Sequence, residues 1–175
     1  VLKTGKVSLF QLRLKKYSFP QKIVIEKIIK KICKKNDVKF LVNDDPILSK
    51  KLNADGCHLG QKDMNIKNAR KIIGNKIIGI TCHNSIKLAK AAVKDKANYI
   101  ALGAFFSTKT KKVKFKATIK ILNKVKKLTK TPIVAIGGIN FNNYKKLLLN
   151  NANLLAISGY VWNNKKYKPL ETIEK

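Results

Sequence analysis

Apolar residues follow two rhythms along the chain. Short, nearly continuous runs occur at residues 8–14, 38–43, 56–59, 77–81, 99–102, 133–136 and 154–158. Between them lie longer lysine-rich stretches in which apolar residues recur every three or four positions, for example 23–33, 85–93 and 118–128. In the first of these, Ile25, Ile28, Ile29 and Ile32 fall at helical spacing with lysines between them, which predicts an amphipathic helix. Short runs without polar alternation predict strands covered on both faces. Their regular alternation with helices predicts an α/β fold with a parallel sheet.

A weak internal repeat extends this expectation. Asn53-Ala54-Asp55-Gly56-Cys57-His58-Leu59-Gly60 is echoed by Lys96-Ala97-Asn98-Tyr99-Ile100-Ala101-Leu102-Gly103, and again by Asn151-Ala152-Asn153-Leu154-Leu155-Ala156-Ile157-Ser158-Gly159. Each copy reads as a helix end, an Ala-Asp/Asn turn, an apolar strand and a glycine at or just past the strand's C-terminal end. Repeated units of this kind favour a closed (β/α)8 TIM barrel, here a single domain over residues 1–175. No Gly-x-Gly-x-x-Gly follows the first strand, so a dinucleotide-binding fold has little support. Seven runs are one fewer than eight strands, and Val1-Leu2-Lys3-Thr4-Gly5-Lys6 reads as a helix end with its glycine stop. The barrel is therefore expected to lack its first β/α unit in this chain.

Composition narrows the class. Hydrophobic residues make up 45% of 175 residues, enough for one sizeable core. No apolar run is long enough to span a bilayer, and the opening residues lack the pattern of a signal peptide. Cys33, Cys57 and Cys82 are odd in number and have no CxxC spacing, which favours a reducing, cytoplasmic setting. Cys33 on a helix and Cys57 on a strand are expected in the core, and Tyr160 and Trp162 are expected to pack. The net charge is +30, yet Arg13 and Arg70 are the only arginines. Groove-reading proteins favour arginine for bidentate contacts, and the lysines are spread along the whole chain. They read as solvated faces, so neither a specific nucleic-acid partner nor a membrane partner is expected. A non-enzymatic polyanion-binding role is the alternative from another class. Homo-oligomerisation is left open.

Barrel chemistry gathers at the C-terminal ends of strands. Gln11, Arg13 and Lys15 alternate along the first run, and such residues share one face of a strand. An edge strand with its lysine outside would read the same way, but an inward polar face is costly unless used. The next ends carry Asn43-Asp44-Asp45 and His58-Leu59-Gly60-Gln61-Lys62-Asp63. Three of the nine acidic residues thus fall at adjacent strand ends. Asp45 precedes Pro46 and is expected to cap a helix. Asp44 and Asp63 remain for Mg²⁺, which takes one or two carboxylates beside substrate phosphate oxygens. Thr108, Lys109, Thr110 and Lys111 follow the fifth strand and suit an oxyanion, although a solvated lysine loop has the same composition. Gly137-Gly138, with Asn140 as an expected helix cap, and Ile157-Ser158 end the last two strands, where barrels often bind phosphate. His83, after Thr81 and Cys82, could be a general base but fits a structural role better.

Taken in order, Gln11-Leu12-Arg13-Leu14-Lys15, Asn43-Asp44, His58-Leu59-Gly60-Gln61-Lys62-Asp63, Thr108-Lys109-Thr110-Lys111, Gly137-Gly138 and Ile157-Ser158 resemble the thiamine-phosphate synthase family from residue 8 to 161. That family joins a pyrimidine methyl diphosphate to a thiazole phosphate and releases pyrophosphate. The resemblance implies that Gln11, Leu12, Arg13, Leu14, Lys15, Asn43 and Lys111 hold the pyrimidine diphosphate, with Thr81 beside the ring where the family usually has Ser. Asp44 and Asp63 would hold Mg²⁺. Thr108, Lys109, Thr110, Gly138, Ile157 and Ser158 would meet the thiazole phosphate. Catalysis would rest on Lys111, Arg13 and Lys15, in a dissociative, Mg²⁺-assisted reaction in which the pyrophosphate leaves first. The family usually places two prolines in the loop that here reads Gly103-Ala104-Phe105-Phe106-Ser107-Thr108. A related branch, a thiazole tautomerase, generally lacks the metal-binding acids, so Asp44 and Asp63 favour the synthase.

Overall fold

The Ala-Asp/Asn turns of the repeat owe their recurrence to a hydrogen-bonding job. In the computed structural model, which describes residues 1–108 and 114–174, the Asp55 carboxylate accepts the Phe40 N–H at 2.8 Å. Asn153 accepts the Ile133 N–H at 2.9 Å in the same way. In each case a short polar side chain satisfies an N–H within the first two residues of the neighbouring strand, which would otherwise be buried without a partner.

Strands and helices alternate as the apolar rhythm predicts. The elements are β1 (Leu9–Leu12), α1 (Phe19–Lys35), β2 (Lys39–Asn43), α2 (Pro46–Lys51), β3 (Gly56–Leu59), α3 (Ile66–Ile73), β4 (Ile77–His83), α4 (Ile86–Lys94), β5 (Tyr99–Gly103), α5 (Ile119–Lys126), β6 (Ile133–Ile136), α6 (Lys145–Leu148), β7 (Leu154–Ala156), α7 (Gly159–Trp162) and α8 (Pro169–Glu174). Strand order follows chain order, and the β1–β2, β2–β3, β5–β6 and β6–β7 ladders are parallel. The α/β expectation holds. Helix starts are set by short polar side chains: Asp45 accepts from the Leu48 N–H at 2.9 Å, Asn65 from Asn68 at 2.9 Å and Ser85 from Leu88 at 3.2 Å.

The chain divides into two compact units, Val1–Gly79 and Ile80–Lys175. The first is built around Cys33, Val38, Phe40, Val42, Leu48, Leu52 and Ala54, with Phe10, Leu12, Ile23 and Ile29 packed against them. Fully burying a Leu or Phe side chain contributes about 1.5–3 kcal/mol, so these few residues carry much of that unit's stability. The second buries Ile100, Leu102, Leu122, Val125, Ile133 and Leu147.

Several local expectations change. β1 stops at Leu12, so Arg13 and Lys15 lie beyond the strand, where the chain turns toward α1. Their alternation in exposure with Leu12 and Leu14 nevertheless continues past the strand end. β7 stops at Ala156, before Ile157 and Ser158. Asn140 caps no helix: its side chain accepts the Asn142 N–H at 2.9 Å in a local turn, and α6 begins only at Lys145. A short polar side chain competes for nearby backbone groups in turns as readily as at helix starts. In α1, Ile28 and Ile32 are 55% and 45% exposed, while Glu26 and Cys33 are buried. Residues 26 and 33 are seven apart and share one face; that face meets the core. Trp162, expected to pack, is 51% exposed.

Candidate functional site

In the first unit, the segments that follow β1, β2 and β3 converge on a cavity of about 380 Å³. Its lining includes Arg13, Lys15, Lys22, Glu26, Asn43 and Asp44. Gln11, at the C-terminal end of β1, donates its amide N–H to the Asn43 side-chain oxygen. Asn43 ends β2, and Asp44 follows it with a left-handed φ of 65°. The Asp44 N–H is held by the His58 carbonyl at 2.8 Å. Lys15 pairs with Asp44 at 3.4 Å, the lysine being more than half exposed. Such a pair is screened and weak in itself; its value is to place a cation beside the acid.

Asp63 reaches the same place from the turn after β3. Its carboxylate accepts the Gly60 N–H at 2.7 Å. A Cβ at residue 60 would come to 3.0 Å from that oxygen, so glycine leaves room for the acid to fold back. Asp44 is raised above the ordinary carboxylate range, first by burial and then by the hydrogen bond and charge of Asp63, while Lys15 pulls the other way. Two carboxylates share one neighbourhood, and the charge of Asp63 disfavours ionisation of Asp44. This is the arrangement that a hard divalent cation relieves. Among the described residues no cluster of three or more His, Cys, Asp or Glu forms a metal site. Mg²⁺ needs only one or two carboxylates, so the pair fits it.

Two buried groups here escaped the sequence reading. Glu26 is 2% exposed, and its Oε2 has no hydrogen-bond partner among the described residues. Burial pushes its carboxyl up to about 7, with Lys22 opposing and Asp45 adding to the shift. A single acid on a lysine-rich amphipathic helix, in a chain with nine acids, was the available signal. His58 is buried on β3, and burial lowers its imidazole to about 4 against the opposing charge of Asp63. The expected cap is present: the Asp45 carboxylate accepts the Leu48 N–H. The three cysteines are buried and free, with thiols pushed up to about 11 at Cys33 and about 12 at Cys57 and Cys82 by burial. None is a ready thiolate.

In the second unit the candidate groups are mostly main chain. Gly137 and Gly138 follow β6 with φ of 102° and 64°. A Cβ on Gly138 would lie 2.3 Å from the Ser107 carbonyl oxygen, and one on Gly137 would lie 2.3 Å from the Ala104 Cβ. The loop after β5 is bound to this corner: Phe105 N–H donates to Ile136 O at 3.1 Å and Phe106 N–H to Gly137 O at 3.0 Å. Thus Ala104–Ser107 and Gly137–Gly138 form one close-packed element without the two prolines of the resembled family. Thr108 leaves this element half-buried. Lys109, Thr110 and Lys111 lie outside the described residues. Ser158 is exposed after β7, and its carbonyl accepts the Val161 N–H at 3.0 Å. Ile157 is half-buried beside it, and Thr81 is half-buried on β4. His83 packs its ring against Phe115, centroids 4.5 Å apart, which suits a structural role. Among the described residues no helix is long and apolar enough to cross a membrane.

A family model described as thiamine monophosphate synthase matches residues 1–161. A thiamine-phosphate synthase of Pelagibacter ubique is 67% identical over 175 residues, covering all of this chain and 84% of that protein. One from Rhodospirillum centenum is 38% identical over 166 residues, covering 93% and 79%. Among solved structures, thiamine phosphate pyrophosphorylase from Pyrococcus furiosus matches with a TM-score of 0.86 at 27% identity, covering 99% of this chain and 83% of that one. A 3-hexulose-6-phosphate synthase shares the fold, with a TM-score of 0.69 at 12% identity.

Proposed function

The chain belongs to the thiamine monophosphate synthase family, and from that premise we propose that it joins a pyrimidine methyl diphosphate to a thiazole phosphate, giving thiamine phosphate and pyrophosphate. It is a transferase. The relatives favour this over a tautomerase of the same fold or a non-enzymatic polyanion binder. The observation that carries the chemical assignment is the cavity at the ends of β1–β3, where Lys15 pairs with Asp44 and Asp63 shares the neighbourhood.

On this reading Gln11, Arg13, Lys15 and Asn43 bind the diphosphate end of the pyrimidine substrate, with Leu12 and Leu14 shaping the pocket. Arg13 offers a planar fork to phosphate oxygens, and Lys15 a point charge. The Gln11–Asn43 hydrogen bond holds two amides in fixed orientation before substrate arrives. Asp44 and Asp63 would hold Mg²⁺, which when bound neutralises phosphate charge. The bond from the pyrimidine methylene carbon to the diphosphate oxygen breaks first. Arg13, Lys15 and Lys111 offset the charge that grows on the departing pyrophosphate, and the thiazole nitrogen then bonds to the carbon. No general base is required, consistent with a His83 that packs on Phe115. Thr81 lies beside the pyrimidine. Thr108, Lys109, Thr110, Gly138, Ile157 and Ser158 take the thiazole phosphate, Gly138 through its N–H.

The test is direct: purified chain, the two phosphorylated substrates and Mg²⁺, with thiamine phosphate and pyrophosphate measured together. Stoichiometric appearance of both supports the reading. Failure to form thiamine phosphate with intact fold would overturn it.

A further inference from the structure

The loop after β5 leaves the sheet at Ala104 and comes back at residues 115–117, and its two stems are bonded to each other. Ala104 donates its N–H to the Phe115 carbonyl at 3.1 Å, and its own carbonyl accepts the Ala117 N–H at 2.8 Å. From Ala104 the outgoing stem runs into the corner at Gly138, where the Ser107 carbonyl oxygen lies 2.3 Å from the point that a Cβ on that glycine would occupy. Lys146 of α6 adds a cation 4.8 Å from the centroid of the Phe106 ring. The returning stem is gripped from the end of β4. The His83 ring meets Phe115 with centroids 4.5 Å apart, and the Asn84 side-chain amide donates to the Lys116 carbonyl at 3.1 Å.

Consecutive side chains of a strand point to opposite faces, so His83 and Asn84 could not both reach one segment if β4 ran on. His83 ends the strand with a φ of 51°, and the Ser85 N–H closes a turn onto the Cys82 carbonyl at 3.0 Å. A left-handed φ is unfavourable for a residue with a β-carbon; here it turns both side chains onto residues 115 and 116. Asn84 is not needed to start α4, because Ser85 already accepts the Leu88 N–H at 3.2 Å. Its exposed amide instead bonds a carbonyl 32 residues away. The contacts run from Asn84 to Lys116, from residues 115 and 117 to Ala104, and from Ala104 along the outgoing stem to Gly138 and Thr108. Resting on the reading above, in which Thr108 and Gly138 take the thiazole phosphate, we infer that Asn84 is a positioning residue for that phosphate. It fixes the returning stem, and the stem fixes where Thr108 and the Gly138 N–H meet the substrate.

Two variants separate this from a purely structural role. Asn84→Asp keeps the size but turns a donor into an acceptor that faces a carbonyl oxygen; Asn84→Gln keeps the donor. An acid one residue before the Ser85 cap also favours the start of α4, so the melting temperature should hold. Unlike the packed glycines of the same unit, Asn84 is exposed, and its loss is read in substrate binding rather than in folding. The first measurement is hydrogen–deuterium exchange at the Ala104 and Ala117 N–H groups, which needs no substrate. Losing one neutral hydrogen bond should speed that exchange about fivefold in Asn84→Asp. The second is steady-state formation of thiamine phosphate. The KM for the thiazole phosphate should rise about fivefold, more than the KM for the pyrimidine diphosphate, and Asn84→Gln should recover most of both effects. Unchanged exchange in Asn84→Asp, an unchanged thiazole phosphate KM, or a rise shared equally by the two substrates would overturn the inference. So would a loss that comes with a lower melting temperature and that Asn84→Gln does not recover. A parent chain that forms no thiamine phosphate would overturn the proposed reaction, while the exchange comparison still judges the grip of Asn84 on the stem.

Discussion

The two compact units present their candidate groups in opposite ways. In the first, the site is made of charged and amide side chains: Gln11 and Asn43 bonded to each other, Lys15 on Asp44, and Asp63 folded back onto a glycine N–H. In the second, it is made largely of backbone, with Gly137 and Gly138 at positive φ against the Ala104–Ser107 loop and the exposed Ser158 after β7. A side-chain site can be tuned by charge and protonation. A backbone site depends on close approach and tolerates almost no added atoms. Substitutions in the first unit should therefore change chemistry before stability, and in the second stability before chemistry. Glu26 is the informative exception, a charge in the first unit that acts on stability.

The harshest way to break this contrast is Gly138→Ala. The new methyl would sit 2.3 Å from a carbonyl oxygen, in a left-handed conformation. Backbone strain of this kind costs about 3 kcal/mol, which lowers the melting temperature by roughly 5–10 °C. A variant that melts like the parent would show that the second unit's corner is not close-packed.

Next in size is Glu26→Gln. The folded carboxyl is raised to about 7 from an unfolded value of 4.5. Below pH 4.5 neither state carries the charge and the variant should be neutral. As pH rises toward 7 only the unfolded chain ionises, so the parent loses stability progressively, and above 7 the full penalty is present. Each tenfold difference in proton affinity between the folded and unfolded chain is worth about 1.4 kcal/mol, so Glu26→Gln should gain about 3 kcal/mol at pH 8. Thermal melts at pH 4 and pH 8 check it. A loss at pH 8 would mean that Glu26 makes a favourable bond there.

Asp63→Asn sharpens the other side of the comparison. It keeps the shape and the Gly60 bond but removes a charge. The rate should fall at least about tenfold, equivalent to about 1.4 kcal/mol, and the Mg²⁺ requirement should rise, with little change in melting. An unchanged rate and Mg²⁺ dependence would remove Asp63 from the metal site. Ser158→Ala is the mildest. Losing one neutral donor should cost about 1 kcal/mol, seen as roughly a fivefold rise in the thiazole phosphate KM. An effect confined to the pyrimidine substrate would show the two phosphates to be assigned the wrong way round.

What the sequence by itself determined is what local pattern controls. Strands 56–59 and 133–136 are as expected to the residue, because a short apolar run bounded by turn chemistry has few alternatives. Asp45 as a cap follows from Pro46 and needs nothing distant. The neighbourhood of Asp44 and Asp63 was legible because acids are rare here and strand ends are where parallel α/β sheets place chemistry. Tertiary structure decided the rest. Whether Ile28 or Glu26 faces the core depends on how α1 is rotated against β1 and β2, and helical spacing alone fits more than one rotation. Where β1 stops, and so whether Arg13 and Lys15 are strand or turn, depends on the extent of its ladder with β2. Asn140 has the residue type of a cap, but only the path of the chain after β6 makes it a turn. His58 looked like part of a motif; its place opposite Asn43, on the sheet face that Gln11 shares, exists only once three strands are in register. Local rules choose elements, but the partner across the sheet chooses what each side chain meets.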